Sequence, residues 1–107
     1  VAVFVAVTDA TFGRPAEGVL ITLAHRTEAR WTAQDTAKTD EAGRVRFDVG
    51  GPCRLRLTLD LDGYFAALGM SVFQSRTDIS FRLATAAEPV CLAISVTPSS
   101  LVVVRTT

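Results

Sequence analysis

The chain has 107 residues, 49% apolar and 21% charged, with 11 basic against 11 acidic side chains. That length suits one domain spanning 1–107, able to bury about two-thirds of its unfolded surface around a single core. The charge balance gives no reason to expect nucleic acid or an anionic membrane as partner, and no apolar run reaches the ~18 residues of a membrane helix.

The hydrophobic period is two. "VAVFVAV" (1–7) opens as a strand rich in β-branched residues, and "TDATFGRPAEG" (8–18) breaks it with Asp, Gly and Pro. "VLITLAHR" (19–26) is a second strand and "RWTAQDTAKT" (30–39) a third, more polar one. "DEAG" (40–43) is a turn with Gly43 where positive φ is needed, and "RVRFDV" (44–49) is the fourth strand. "RLRLTLDL" (54–61) puts Leu55, Leu57, Leu59 and Leu61 on one face and Arg54, Arg56, Thr58 and Asp60 on the other, the pattern of a half-buried strand. "DGYFAALG" (62–69) predicts a short helix capped by Asp62 and ended by Gly69. "TDISFRL" (77–83) is a further strand, and "PVCLAISV" (89–96), the turn "TPSS" and "LVVV" (101–104) read as a hairpin. About eight short strands, one short helix and regular turns point to an all-β sandwich of two sheets.

The last two strands do not alternate. One face packs on the core; the other carries Cys91, Ala93, Ser95, Val102 and Val104, small and mostly apolar. A second apolar face needs a cover, supplied by another subunit, a ligand or both. Cys53 and Cys91 stand at no metal or redox spacing; free thiols in a cytoplasmic protein are the expectation, one bridge the alternative. No metal site and no cofactor are expected. The chain begins at Val1, so an export leader removed ahead of it is the alternative to the cytoplasm. Lys38 is the only lysine among abundant Ala, Val and Thr, which reads as the coding bias of a GC-rich bacterium.

Along nearly its whole length the sequence resembles the transthyretin and 5-hydroxyisourate hydrolase family. The resemblance is carried by "GRPAEGV" (13–19), "WTAQDTAKTDEAGR" (31–44), "YFAALGMSVF" (64–73) and "VTPSSLVVVRTT" (96–107), the last aligning without gaps with the hydrolase ending. Carboxypeptidase-regulatory and adhesin-repeat sandwiches share the "G-x-P-x-x-G-V" and "T-D-x-x-G" signals, but not the helix followed by two further apolar strands. The resemblance implies a prealbumin-like sandwich and a homotetramer, a dimer of dimers, whose channel takes a small-molecule ligand or substrate. It places Ala6, Thr8, Cys91, Ala93, Ser95, Val102 and Val104 on the channel and Phe73 at the dimer contact.

The hydrolase set implied by the resemblance is two histidines, an arginine and a closing Tyr-Arg-Gly-Ser. Here the histidine positions are Ala6 and Cys91, the arginine is Arg44, and the tetrad reads Val104, Arg105, Thr106 and Thr107. Loss of a general base costs ~10²–10⁴ in rate, so ordinary hydroxyisourate hydrolysis is not expected. Transthyretin's pattern also fails, since it carries a lysine and a glutamate at the positions of Ala6 and Arg44. The only histidine, His25, falls in the other sheet as a surface strand-end residue. What remains is an apolar pocket with Arg44, Arg105 and Cys91 as candidate catalytic groups and Thr107 with the channel residues as lining. Guanidinium forks suit a carboxylate, enolate or phenolate. The resulting expectation is a repurposed enzyme of bacterial specialised metabolism that closes, opens or isomerises an acidic or enolisable ring. The alternatives are a non-catalytic carrier or sensor and a residual hydroxyisourate hydrolase. By strand parity Arg105 points away from Val104.

Overall fold

The computed structural model describes residues 1–84 and 89–106. In β1 (Ala2–Asp9), Val3, Val5 and Val7 are buried while Phe4, Ala6 and Thr8 take the other face. The strand runs two residues past its expected end. Asp9 is fully buried, and its carboxylate accepts from the Tyr64 hydroxyl at 2.8 Å and the Thr11 N–H at 2.9 Å. A charge that reads as loop therefore stays inside because donors satisfy it. Burial, and then Asp9 itself, push the Tyr64 hydroxyl up to about 12, with Arg14 opposing. A two-residue strand, β2 (Arg14–Pro15), pairs with Thr8 and Asp9 inside what reads as loop.

β3 (Leu20–Thr27) and β4 (Arg30–Lys38) form the next antiparallel pair. β5 (Arg44–Asp48) follows the Asp40–Gly43 turn, where the Asp40 carboxylate accepts from the N–H groups of Ala42 and Arg44, both at 2.9 Å. Gly43 has φ +75°, and a Cβ there would run into the Val7 carbonyl oxygen. Its own carbonyl accepts the Val7 N–H at 2.7 Å. This close approach needs glycine and fixes the start of β5 beside β1.

In β6 (Cys53–Asp60) the leucines at 55, 57 and 59 are wholly buried. The strand runs directly into α1 (Leu61–Ala66), so the helix is capped by Asp60, the strand's last residue, and not by Asp62. The Asp60 carboxylate accepts from Gly63 N–H at 3.0 Å; Asp62 lies in the first turn. Gly69, at φ +73°, ends the segment as the sequence predicts. β7 (Arg76–Leu83), β8 (Val90–Thr97) and β9 (Ser100–Arg105) complete the element order.

Two sheets result. In the first, β1 pairs with β2 and β5 on one side and runs parallel to β8 on the other, with β9 outermost; the second has the order β4, β3, β6, β7. Val3, Val5, Val7, Phe47 and Ile94 of the first sheet pack with Ile21, Leu23, Leu55, Leu57 and Leu59 of the second in one core. Each such side chain contributes ~1.5–3 kcal/mol through burial. The Tyr64–Asp9 hydrogen bond ties the helix that follows the second sheet to the central strand of the first. The fold is the expected prealbumin-like two-sheet β-sandwich with one short helix.

Candidate functional site

The outer face of the first sheet is built by register. Arg44 pairs with Ala6, Ala6 with Ala93, and Ala93 with Val104, which makes one row across four strands. In the next row Arg46 pairs with Phe4 and Phe4 with Cys91, whose carbonyl accepts the Thr106 N–H at 2.9 Å. On the other side Thr8 pairs with Ser95 and Ser95 with Val102. Val102 and Val104 are 57% and 53% exposed. Phe4, Ala6, Arg44, Cys91, Ala93 and Thr106 line a groove of about 260 Å³ on this face.

The two arginines of β5 differ. Arg46 binds Asp48 at 3.1 Å and lies 5.4 Å over the Phe4 ring. Arg44 makes no ion pair among the described residues, so its guanidinium stands at the end of an apolar strip with its charge uncommitted. Among the described residues that line the groove there is no imidazole and no carboxylate; its reactive groups are the Arg44 guanidinium and the half-buried, free Cys91 thiol. Such a surface can hold a flat apolar body and neutralise an anionic substituent. Among the described residues no three His, Cys, Asp or Glu side chains cluster as metal ligands, and no helix is long and apolar enough to cross a membrane.

The register brings Arg44, Ala6, Thr8, Cys91, Ala93, Ser95, Val102 and Val104 onto this one face. It does not bring Arg105 there. Arg105 pairs with Leu92, which is only 7% exposed, so it has the parity of the inner face and sits exposed at the end of β9. Thr107 lies outside the described residues. His25 corrects the expectation of a surface residue: it pairs with Leu55, shares that leucine's inward parity, and is half-buried with Nδ1 unpartnered. Phe4, Thr106 and Arg46 also belong to this part of the face, although the sequence reading does not select them. The parity of Phe4 with Ala6 in "VAVFVAV" carries that signal; the placement of Thr106 depends on its bond to Cys91 and has no local signature.

The strand order, the helix directly after β6 and the exposed small-residue face together describe a transthyretin-like sandwich. The HIUase/Transthyretin family model matches residues 3–105, and the chain belongs to that family. Among solved structures it is similar to the 5-hydroxyisourate hydrolase of Klebsiella pneumoniae, with 22% identity, a TM-score of 0.85 and coverage of 100% of both chains. It is similar to transthyretin from Sparus aurata at 22% identity and TM-score 0.91, over 97% of this chain and 95% of that one. Sea bream transthyretin in complex with thyroxine matches at 22% identity and TM-score 0.92, over 98% and 94%. No curated protein matches the sequence significantly.

Proposed function

We propose that this protein is a homotetramer whose channel is walled by the outer face of the first sheet. In that channel it binds an acidic or enolisable, ring-containing small molecule and acts on it through positioning and the Arg44 charge. The observation that carries the reading is the row Arg44, Ala6, Ala93 and Val104: one uncommitted guanidinium at the end of an exposed apolar strip. The exposed valines on the outer face of β9 favour self-association, because contiguous apolar surface left in water is stabilised by a cover. Phe73, 90% exposed, is an aromatic anchor suited to the same assembly. Arg44 would hold a carboxylate, enolate or phenolate in its planar fork and stabilise negative charge as it develops. Cys91, one row away, is the thiol within reach of a bound ring. With Arg105 on the other parity, a single guanidinium carries the electrostatic role.

A carrier is the second reading, favoured by a groove lining without imidazole or carboxylate. The two separate in one experiment. Aromatic carboxylates and phenolates are titrated into the wild-type protein and Arg44→Ala by calorimetry, and the bound compounds are then followed by mass spectrometry. Binding that depends on Arg44, with conversion, supports the enzyme; the same binding without conversion supports the carrier. Binding unchanged in Arg44→Ala removes the role of the row. Hydroxyisourate decay, followed by ultraviolet absorbance, is expected to match the protein-free rate; an acceleration would restore the hydrolase reading.

A further inference from the structure

The second sheet's outer face concentrates cations. On β6, Arg54 and Arg56 share the face opposite the buried leucines. Arg54 pairs directly with Arg82 of β7. Arg26 follows His25, which pairs with Leu55, so it lies beside Arg54 on the other side. Three guanidinium-bearing residues thus stand in a row over three strands, a span of about 10 Å at the usual strand spacing. Arg56 adds a fourth, two residues along β6.

Trp31, paired with Arg26 across β3 and β4, organises two of them. The Arg56 guanidinium lies 4.8 Å from its ring centroid and that of Arg26 5.8 Å. The Nε of Arg56 is buried there with no hydrogen-bond partner. Arg26, Arg54, Arg82, Trp31, Ser80 and Phe81 border a depression of about 400 Å³.

Like charges directly opposite in an antiparallel ladder are destabilising, and charges this close lie within a Debye length of about 8 Å at physiological salt. The usual remedy is an interleaved carboxylate. Among the described residues none of these four arginines makes an ion pair. The nearest acid on this face of β7, Asp78, accepts instead from the Thr58 hydroxyl at 2.7 Å. A chain with no net charge has therefore gathered four cations where its own acids do not answer them.

We propose that this face is a binding site for an oligophosphate chain, free or carried on a nucleoside. Planar guanidinium forks take phosphoryl oxygens two at a time, and a row about 10 Å long matches several linked phosphoryl groups better than one carboxylate. The indole, already covered by arginines, holds the cations in place. The site is on the opposite sheet from the groove that contains Arg44, so it does not depend on the function proposed for that groove.

Trp31 is the only tryptophan, which makes its emission a direct reporter. Inorganic tripolyphosphate, a nucleoside triphosphate and orthophosphate are titrated at constant ionic strength, with potassium chloride as the blank. Calorimetry provides the second readout. Tripolyphosphate is expected to give a saturable change at concentrations at least about tenfold lower than orthophosphate. Equal affinity for the nucleoside triphosphate means that the phosphate chain alone is read; tighter binding adds a nucleoside contact. The Arg54→Gln, Arg82→Gln double variant is expected to lose at least about tenfold in affinity. Lys38→Gln, farther along the same sheet, should leave it unchanged. A tripolyphosphate response no larger than chloride's, or one that survives the double substitution, overturns the site.

Discussion

The two outer faces of this sandwich are made by the same alternation and end with opposite chemistry. On the first sheet the outward positions are Ala6, Ala93, Ser95, Val102 and Val104, with Arg44 at the margin. On the second they are Thr22, Thr58, Asp78 and the arginines around Trp31. Both are exposed in the single chain, but only the first leaves large apolar groups in water. Burial against the core therefore does not decide what a sheet does with its other side. An apolar outer face calls for a cover, and a charged one calls for counter-charge.

The largest expected effect comes from giving the first face the character of the second. Val104→Asp would place a carboxylate in the wall proposed to be covered, where an unpaired charge would be costly. Sedimentation is expected to show loss of the tetramer, with the circular dichroism of the fold retained. A tetramer that tolerates the substitution would mean that this face is not the one covered. Arg44→Ala is next. A charged hydrogen-bonded partner is worth ~1.5–3 kcal/mol, so an anionic aromatic ligand should bind about ten- to a hundredfold more weakly, as read by calorimetry.

Tyr64→Phe removes the hydrogen bond between α1 and β1. Asp9 would lose the 2.8 Å hydroxyl donor while remaining buried, at a cost of ~1–3 kcal/mol in urea unfolding. The pH dependence has a definite sign. The folded value of about 12 lies above the ordinary value of 10.0, so the native state holds the phenol proton more tightly. That contribution is complete below pH 10 and is lost as pH rises toward 12. Tyr64→Phe should remove this alkaline loss, and a variant with the same decline would put its origin elsewhere. The smallest effect is expected from Asp60→Ala, which removes the cap where the second sheet passes into the helix. Loss of such a cap costs ~0.5–2 kcal/mol, measured as a lower unfolding midpoint; an unchanged midpoint would show that α1 is held by its buried Leu61, Tyr64 and Phe65 without the cap.

What the sequence made legible was local parity. The strict alternation at 54–61 identified the buried leucines, and the double apolar character of "PVCLAISV" and "LVVV" identified a face that needs covering. The parity of Arg105 was also readable, and its pairing with Leu92 keeps it on the inner side. Three features were not legible: two depend on partners distant in sequence, and one on where a strand hands over to a helix. The Asp9 carboxylate can be buried at the end of β1 in part because the Tyr64 hydroxyl reaches it from 55 residues away. The cap fell on Asp60 because β6 runs into α1 without a loop. The arginine cluster needed the registers of β3, β6 and β7, since "RLRLTLDL" places Arg54 and Arg56 on a face but cannot say that Arg82 and Trp31 meet them.

The channel proposed along the Arg44 row exists only where copies of the same chain cover the apolar outer face. Sedimentation velocity of the wild-type protein at micromolar concentration tests this directly. A single boundary at the tetramer mass is the predicted result. A monomer that persists as concentration rises would contradict the covered face, and the channel proposed along the Arg44 row with it.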